Sequence, residues 1–274
     1  MSTYEVVARN FSAAHENKIH SDEIAQKYGF KGALVPGVAV WGHLTHPLAE
    51  RFGEAWLSRS LNHTRFFKPA YDGDRITVTL EGKDEGYLVQ GHNDDGSLLA
   101  EIRATLPEEL PAPHDAAVFD AATRPADRVE MNWQTVVEGE PIPEWHYQII
   151  TDENQRHANE ISDELPLYQH LAHPHWLLSM ANRTLTREYL MPAWIHVGSE
   201  VRFRELVRVG DTLAVNAVPL EKWERKGHQF VRLYITYHRL DVLTTEIFHT
   251  AIFRVAERCG SRHLPHLAVR FCRR

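Results

Sequence analysis

Polar and apolar positions follow the same order twice along this chain. Residues 4–9 (YEVVAR) alternate and are rich in β-branched side chains, which predicts a first strand. A polar cluster, Glu16-Asn17-Lys18-Ile19-His20, comes next, then a short helix over 21–27 with Ser21 as its N-cap. Pro36-Gly37 is a breaker pair that opens an apolar run over 38–52, read as a buried helix ended by Gly53. Pro47 inside that run predicts a kink or a helix in two pieces. Runs at 56–67, 75–80, 87–92 and 98–105 read as strands separated by turns such as Asp72-Gly73-Asp74.

Residues 107–128 are rich in Pro, Ala and Asp and read as a surface linker. Beyond it the order recurs. A strand-like run at 145–150 precedes the polar cluster Asp152-Glu153-Asn154-Gln155-Arg156-His157, and Pro174 precedes an apolar helix over 176–189. Strand-like runs follow at 195–207, 213–218, 229–238 and 245–255, with a solvated hairpin turn expected within 221–230.

The two halves match in detail. ENKIHSDEI at 16–24 lies over ENQRHANEI at 153–161, a shift of 157 − 20 = 137, and Gly73-Asp74 lies over Gly210-Asp211 at the same shift. Pro36 and Trp56 match Pro174 and Trp194 at 138, which a one-residue indel explains. The chain is an internal duplication, divided as 1–106, linker 107–128 and 129–274. One buried helix against an antiparallel sheet in each unit makes the fold class α+β. The two sheets are expected to join or pack side by side, which removes exposed edges.

Composition narrows the function. The formal charge of −7 argues against a nucleic-acid partner, which would meet a basic surface. No apolar run approaches the ~20 residues of a membrane span. The start MSTYEVVARN has no apolar signal-peptide core, and Cys259 and Cys272 make no disulfide framework, so a cytoplasmic protein is expected. Eighteen histidines raise the question of a metal. His170, His173 and His175 lack the i, i+4 spacing of helical ligands and Pro174 interrupts them, so no metal site is expected there.

Chemistry centres on 16–38. Asn17 and His20 stand close before a helix entered through Gly37, whose start presents free N–H groups and the positive end of a dipole. An imidazole can move a proton and such a helix end can hold an oxyanion. The N-x-x-H cluster, Tyr28-Gly29-Phe30, Val35-Pro36-Gly37-Val38 and the later Phe67-Lys68-Pro69 to Gly73-Asp74 together resemble the MaoC-like, R-specific enoyl-CoA hydratase branch of the hotdog superfamily. The whole chain resembles its double-hotdog members, in which two such units are fused.

The resemblance implies reversible addition of water to a 2-enoyl-CoA, giving a 3-hydroxyacyl-CoA. No cofactor is implied beyond the CoA of the substrate. Its active-site pattern is D-x-N-P-x-H, in which Asp and His hold and deprotonate the water and a helix-start N–H stabilises the thioester oxyanion. Carried onto this chain, the pattern gives Asn17 and His20 in the first half and Asp152, Asn154 and His157 in the second, with Gly37 and Val38 at the thioester. Each half departs from it. His15 replaces the Asp of the first half, and Lys18 and Gln155 replace Pro; His175 stands where the first half has Gly37.

Two other readings stay open. A hotdog protein with neither site complete could bind acyl-CoA without turning it over. A thioesterase would use an acidic residue on the central helix, where Glu50 is the only candidate. The substrate side of all three is an acyl-CoA-type small molecule, and both a monomer and a homodimer are compatible with a fused pair.

Overall fold

The computed structural model describes residues 2–114 and 127–256. Residues 115–126 of the expected linker, both cysteines and the arginine-rich segment 262–274 lie outside them. The first half runs β1 (Ser2–Val7), α1 (Asp22–Lys27), α2 (Gly37–Phe52), α3 (Glu54–Ser58), then β2 (Ser60–Phe66), β3 (Arg75–Lys83), β4 (Gly86–Asn93) and β5 (Leu98–Thr105). The second runs β6 (Val129–Glu130), β7 (Ile142–Gln148), α4 (Thr151–Glu160), α5 (Pro174–Glu188) and β8 (Tyr189–Leu190). It closes with β9 (Ile195–Phe203), β10 (Thr212–Arg225), β11 (His228–Arg239) and β12 (Val242–Arg254). β6 and β8 form a small parallel pair.

The other ten strands make one antiparallel sheet in the order β1-β3-β4-β5-β2-β9-β12-β11-β10-β7. The order is a mirror of itself about the β2–β9 seam. There His63 pairs with Glu200, its own counterpart, since 200 − 63 = 137. A pseudo-twofold axis therefore passes between these two side chains, whose Nε2 and Oε2 lie 3.5 Å apart. The duplication persists at hydrogen-bond level. Asp74 Oδ2 accepts the amide of Tyr71 and Asp211 Oδ2 accepts that of Arg208, both at 2.8 Å.

The sheet wraps two helices, α2 and α5. α2 is buried nearly all round, with Trp41, Leu44 and Leu48 fully enclosed, as expected for a helix without a polar stripe. Pro47 does not divide it. The helix stays whole over 16 residues because Pro47 is itself buried and its packing outweighs the missing donor to the His43 carbonyl. The strand expected from 56 begins at Ser60 instead. Gly53, at φ +54°, ends α2, and the short α3 turns Trp56 inward, where its indole N–H donates to Asn62 Oδ1 at 2.8 Å. No helix among the described residues is long and apolar enough to cross a membrane.

Candidate active site

A cavity of about 250 Å³ opens between the halves. Its wall combines Asn17, His20 and Gly37 from the first half with Asn182, His196 and His228 from the second. The remaining lining is largely apolar, and no carboxylate lines it among the described residues.

Local backbone explains how Asn17 and His20 meet. Residues Lys18–His20 form a single 3-10 turn capped by Asn17, whose Oδ1 accepts the amide of Ile19 at 3.3 Å. The same amide group clamps the other half: Oδ1 accepts the Trp194 N–H at 3.2 Å and Nδ2 donates to the Trp194 carbonyl at 3.0 Å. The turn presents His20 to the Leu34 carbonyl, 2.7 Å from Nδ1. A carbonyl only accepts, so Nδ1 carries the hydrogen and Nε2 keeps its lone pair. Asn17 Nδ2 reaches Nε2 loosely, at 3.4 Å. Burial lowers the His20 pKa to about 4, against which the Leu34 bond works only partly. His20 is thus a neutral base at pH 7 with a defined tautomer.

Gly37 is the first residue of α2. The amides of Ala39 and Val40 both turn back on the Pro36 carbonyl, so those of Gly37 and Val38 are the unspent donors of the helix start. A Cβ at Gly37 would stand 3.2 Å from His196 Nδ1 and 3.5 Å from Phe66 Cζ. Glycine keeps this approach clear.

His196 belongs to a buried group that sequence reasoning missed. Its Nε2 lies 2.8 Å from Ser199 Oγ, which lies 3.1 Å from His249 Nδ1, and the two imidazoles stack at 4.4 Å. Ser199 has one hydrogen, so it donates to one ring and accepts from the other. Burial holds both imidazoles neutral, His196 well below its ordinary pKa and His249 at about 3. On a regular strand, residues three apart face opposite ways. A bulge at Val197, where Gly198 and His196 pair with the adjacent Thr250 and Ala251, brings His196 and Ser199 to one side.

The second half displays the matching residues on a different backbone. Asn154 lies inside α4 and is spent on structure: Nδ2 donates to Tyr168 and Leu171 carbonyls at 2.7 and 2.9 Å, and Oδ1 accepts His173 N–H at 2.7 Å. Leu171 is the counterpart of Leu34, since 171 − 34 = 137. The carbonyl that orients His20 is therefore taken by Asn154, and His157 turns instead against Trp176, stacked at 5.4 Å. Asp152 is exposed. Five residues along a helix place it about 140° around the axis from His157. Neither lines the cavity, so the structure does not bring this pair together. His15 and Glu50, the first-half departure and the thioesterase candidate, are both exposed and outside the lining.

No family model matches the sequence, and no curated protein matches it. Solved structures do. A MaoC-like dehydratase aligns over 93% of this chain and 98% of its own at 12% identity and a TM-score of 0.55. A conserved hypothetical protein of Mycobacterium tuberculosis, described as having a double hotdog fold, aligns over 92% and 95% at 12% identity and a TM-score of 0.57. The chain has the double-hotdog fold. A Lactobacillus plantarum protein assigned as an oleoyl thioesterase shares it at a TM-score of 0.51, 12% identity and 93% and 96% coverage. A double hotdog thus carries more than one chemistry, and what this one does rests on its own site.

Proposed function

We propose that the protein is an acyl-thioester hydratase or dehydratase, working through its first-half site on a 2-enoyl or 3-hydroxyacyl thioester. The observation that carries this is one cavity lined both by a neutral imidazole, whose Nε2 keeps its lone pair, and by Gly37 at the unspent start of a helix; Val38 itself lies outside the lining. In the hydration direction His20 Nε2 takes a proton from a water that enters in place of the loose 3.4 Å contact between Nε2 and Asn17 Nδ2. The water oxygen bonds to the β-carbon, and the double-bond electrons move to the thioester oxygen. That developing enolate meets the Gly37 amide at the positive end of α2. The enolate then collapses as the α-carbon takes the proton back from His20.

His20 works without the carboxylate partner of the D-x-N-P-x-H pattern, its tautomer being set by Leu34 and its protonation state by burial. The cavity volume is below the ~300–1,000 Å³ of pockets for drug-sized ligands, which suits a short acyl group with the CoA outside. Neither a metal nor a redox cofactor enters these steps. The missing carboxylate favours a second reading, acyl-CoA binding without turnover.

The test is hydration of trans-2-enoyl-CoAs, short to long, by the wild type, His20→Ala and Asp152→Ala, following enoyl absorbance with a free-thiol assay alongside. Turnover lost by ~100-fold or more in His20→Ala and kept in Asp152→Ala supports the hydratase. Binding of the esters without turnover sinks it in favour of the binding protein, and release of free thiol in favour of a thioesterase.

A further inference from the structure

The side chains that the second half does not use for a cavity converge elsewhere. His157, Glu160 and His175 each bring one ligand atom within 4.8 Å of the others, at the contact of α4 with the start of α5. His157 Nδ1, Glu160 Oε2 and His175 Nε2 are sealed from solvent; the first two lie 3.2 Å apart, and His175 Nε2 has no hydrogen-bond partner among the described residues. From this we infer a divalent transition-metal site of zinc type, with these two imidazoles and one carboxylate as its protein ligands. It stands apart from the His20 cavity and does not depend on the proposed hydration.

The donor chemistry is specific. His175 Nδ1 lies 3.0 Å from the His157 carbonyl and donates to it, so Nε2 is a bare lone pair. That lone pair faces a carboxylate oxygen and a second imidazole nitrogen. His157 Nδ1 can carry a hydrogen to Glu160 Oε2, 3.2 Å away, but that leaves His175 Nε2 unsatisfied, whereas a cation in place of that proton satisfies all three atoms at once.

The geometry is preformed. His157 Nδ1 and Glu160 Oε2 are 3.2 Å apart, close to the ~3.4 Å between ligand atoms of a tetrahedral zinc with ~2.1 Å bonds. The wider separations, up to 4.8 Å, involve His175 and close by an inward shift of the His157 ring and the Glu160 carboxylate, whose side chains are 14% and 21% exposed. Both rings are held from outside the site. The His157 carbonyl fixes His175, and Trp176 stacks on His157. Such outer partners orient metal ligands in the same way. The partial exposure of the His157 and Glu160 side chains gives an ion its entry. Two nitrogens and one oxygen suit zinc, cobalt, nickel or copper better than magnesium or calcium, which prefer all-oxygen shells.

The experiment uses the full chain without a histidine tag, stripped with chelator and titrated with Zn²⁺ by calorimetry. Co²⁺ serves as a spectroscopic probe of four-coordination. One equivalent is expected to bind, with a raised melting temperature. Glu160→Gln, which preserves shape, should weaken binding by on the order of 100-fold, at or above the loss from removing an outer-shell partner. His157→Ala should do the same, while the exposed His170→Ala binds as the wild type. Equal affinity in Glu160→Gln and wild type, loss of binding in His170→Ala, or no stoichiometric binding would each overturn the site. His175→Asn is less informative because that residue is buried; Glu160→Gln decides the matter without it.

Discussion

Two glycines of α2 should respond to the same substitution in opposite ways. At Gly37 the backbone is not in the left-handed region, so alanine is tolerated there, and helix preference favours it by up to ~1 kcal/mol. The new methyl sits 3.2 Å from His196 Nδ1, a contact that a few tenths of an ångström relieve. Stability should stay within about 1 kcal/mol, or ~2–4 °C in melting temperature. The methyl nevertheless occupies the mouth of the helix, between His196 and Phe66, where a thioester oxygen would reach the Gly37 amide. Losing one such donor removes ~3 kcal/mol of transition-state stabilisation, so kcat/KM on the best enoyl-CoA should fall ~100-fold or more. At Gly42 a Cβ would stand 2.7 Å from Ile161 Cδ1 and 3.1 Å from His175 Cβ. Overpacking there costs ~1–3 kcal/mol, so Gly42→Ala should melt several degrees lower and keep its kcat/KM. Thermal melts and initial rates on both variants are the assay. Gly37→Ala with unchanged kcat/KM, or with a melting loss equal to that of Gly42→Ala, would refute the assignment of the helix start to the oxyanion.

Three further outcomes follow from the same contacts. Ser199→Ala leaves two buried imidazole nitrogens without partners and should destabilise by ~1–3 kcal/mol, read as a lower urea midpoint. Asn17→Ala and Asn154→Ala should both lower the urea midpoint, since each side chain ties down several backbone groups, but only Asn17→Ala should also slow hydration. Acid should unfold the protein early. His20 and His249 titrate at about 4 and about 3 when folded but near ~6.5 when unfolded, so the unfolded chain takes up their protons first. The stability they lend is complete above ~6.5 and is lost as pH falls towards 4 and then 3, at ~1.4 kcal/mol per proton per pH unit. Urea midpoints at pH 7, 5.5 and 4.5 would show it, and a flat profile would contradict the buried neutral state.

The architecture was legible because it was written twice. Alternation marked the long strands, Pro36-Gly37 and Pro174 marked the helix starts, and the offset of 137 held down to the Asp74 and Asp211 turn bonds. The small helix at Trp56 was hidden because an inward-facing indole satisfies a strand pattern as well as a helical turn. The site was legible only in part. Asn17-x-x-His20 and Asn154-x-x-His157 are identical in spacing, yet one sits on a 3-10 turn and the other inside α4, and spacing does not specify which backbone carries it. The His196, Ser199 and His249 group depends on a bulge at Val197 and on pairing between strands some fifty residues apart, neither of which a local pattern records.

The seam between β2 and β9 also bears on how such a chain can differentiate. In a homodimer built on the same seam, any residue on the axis faces its own copy, so an acid there meets an acid and a base meets a base. Joining the two copies into one polypeptide lifts that restriction, and here histidine faces glutamate at the axis. The same release lets one copy keep an open cleft while the other fills its own with histidines. Each fused molecule carries both outcomes in a fixed ratio of one to one, which no mixture of separately made subunits would guarantee.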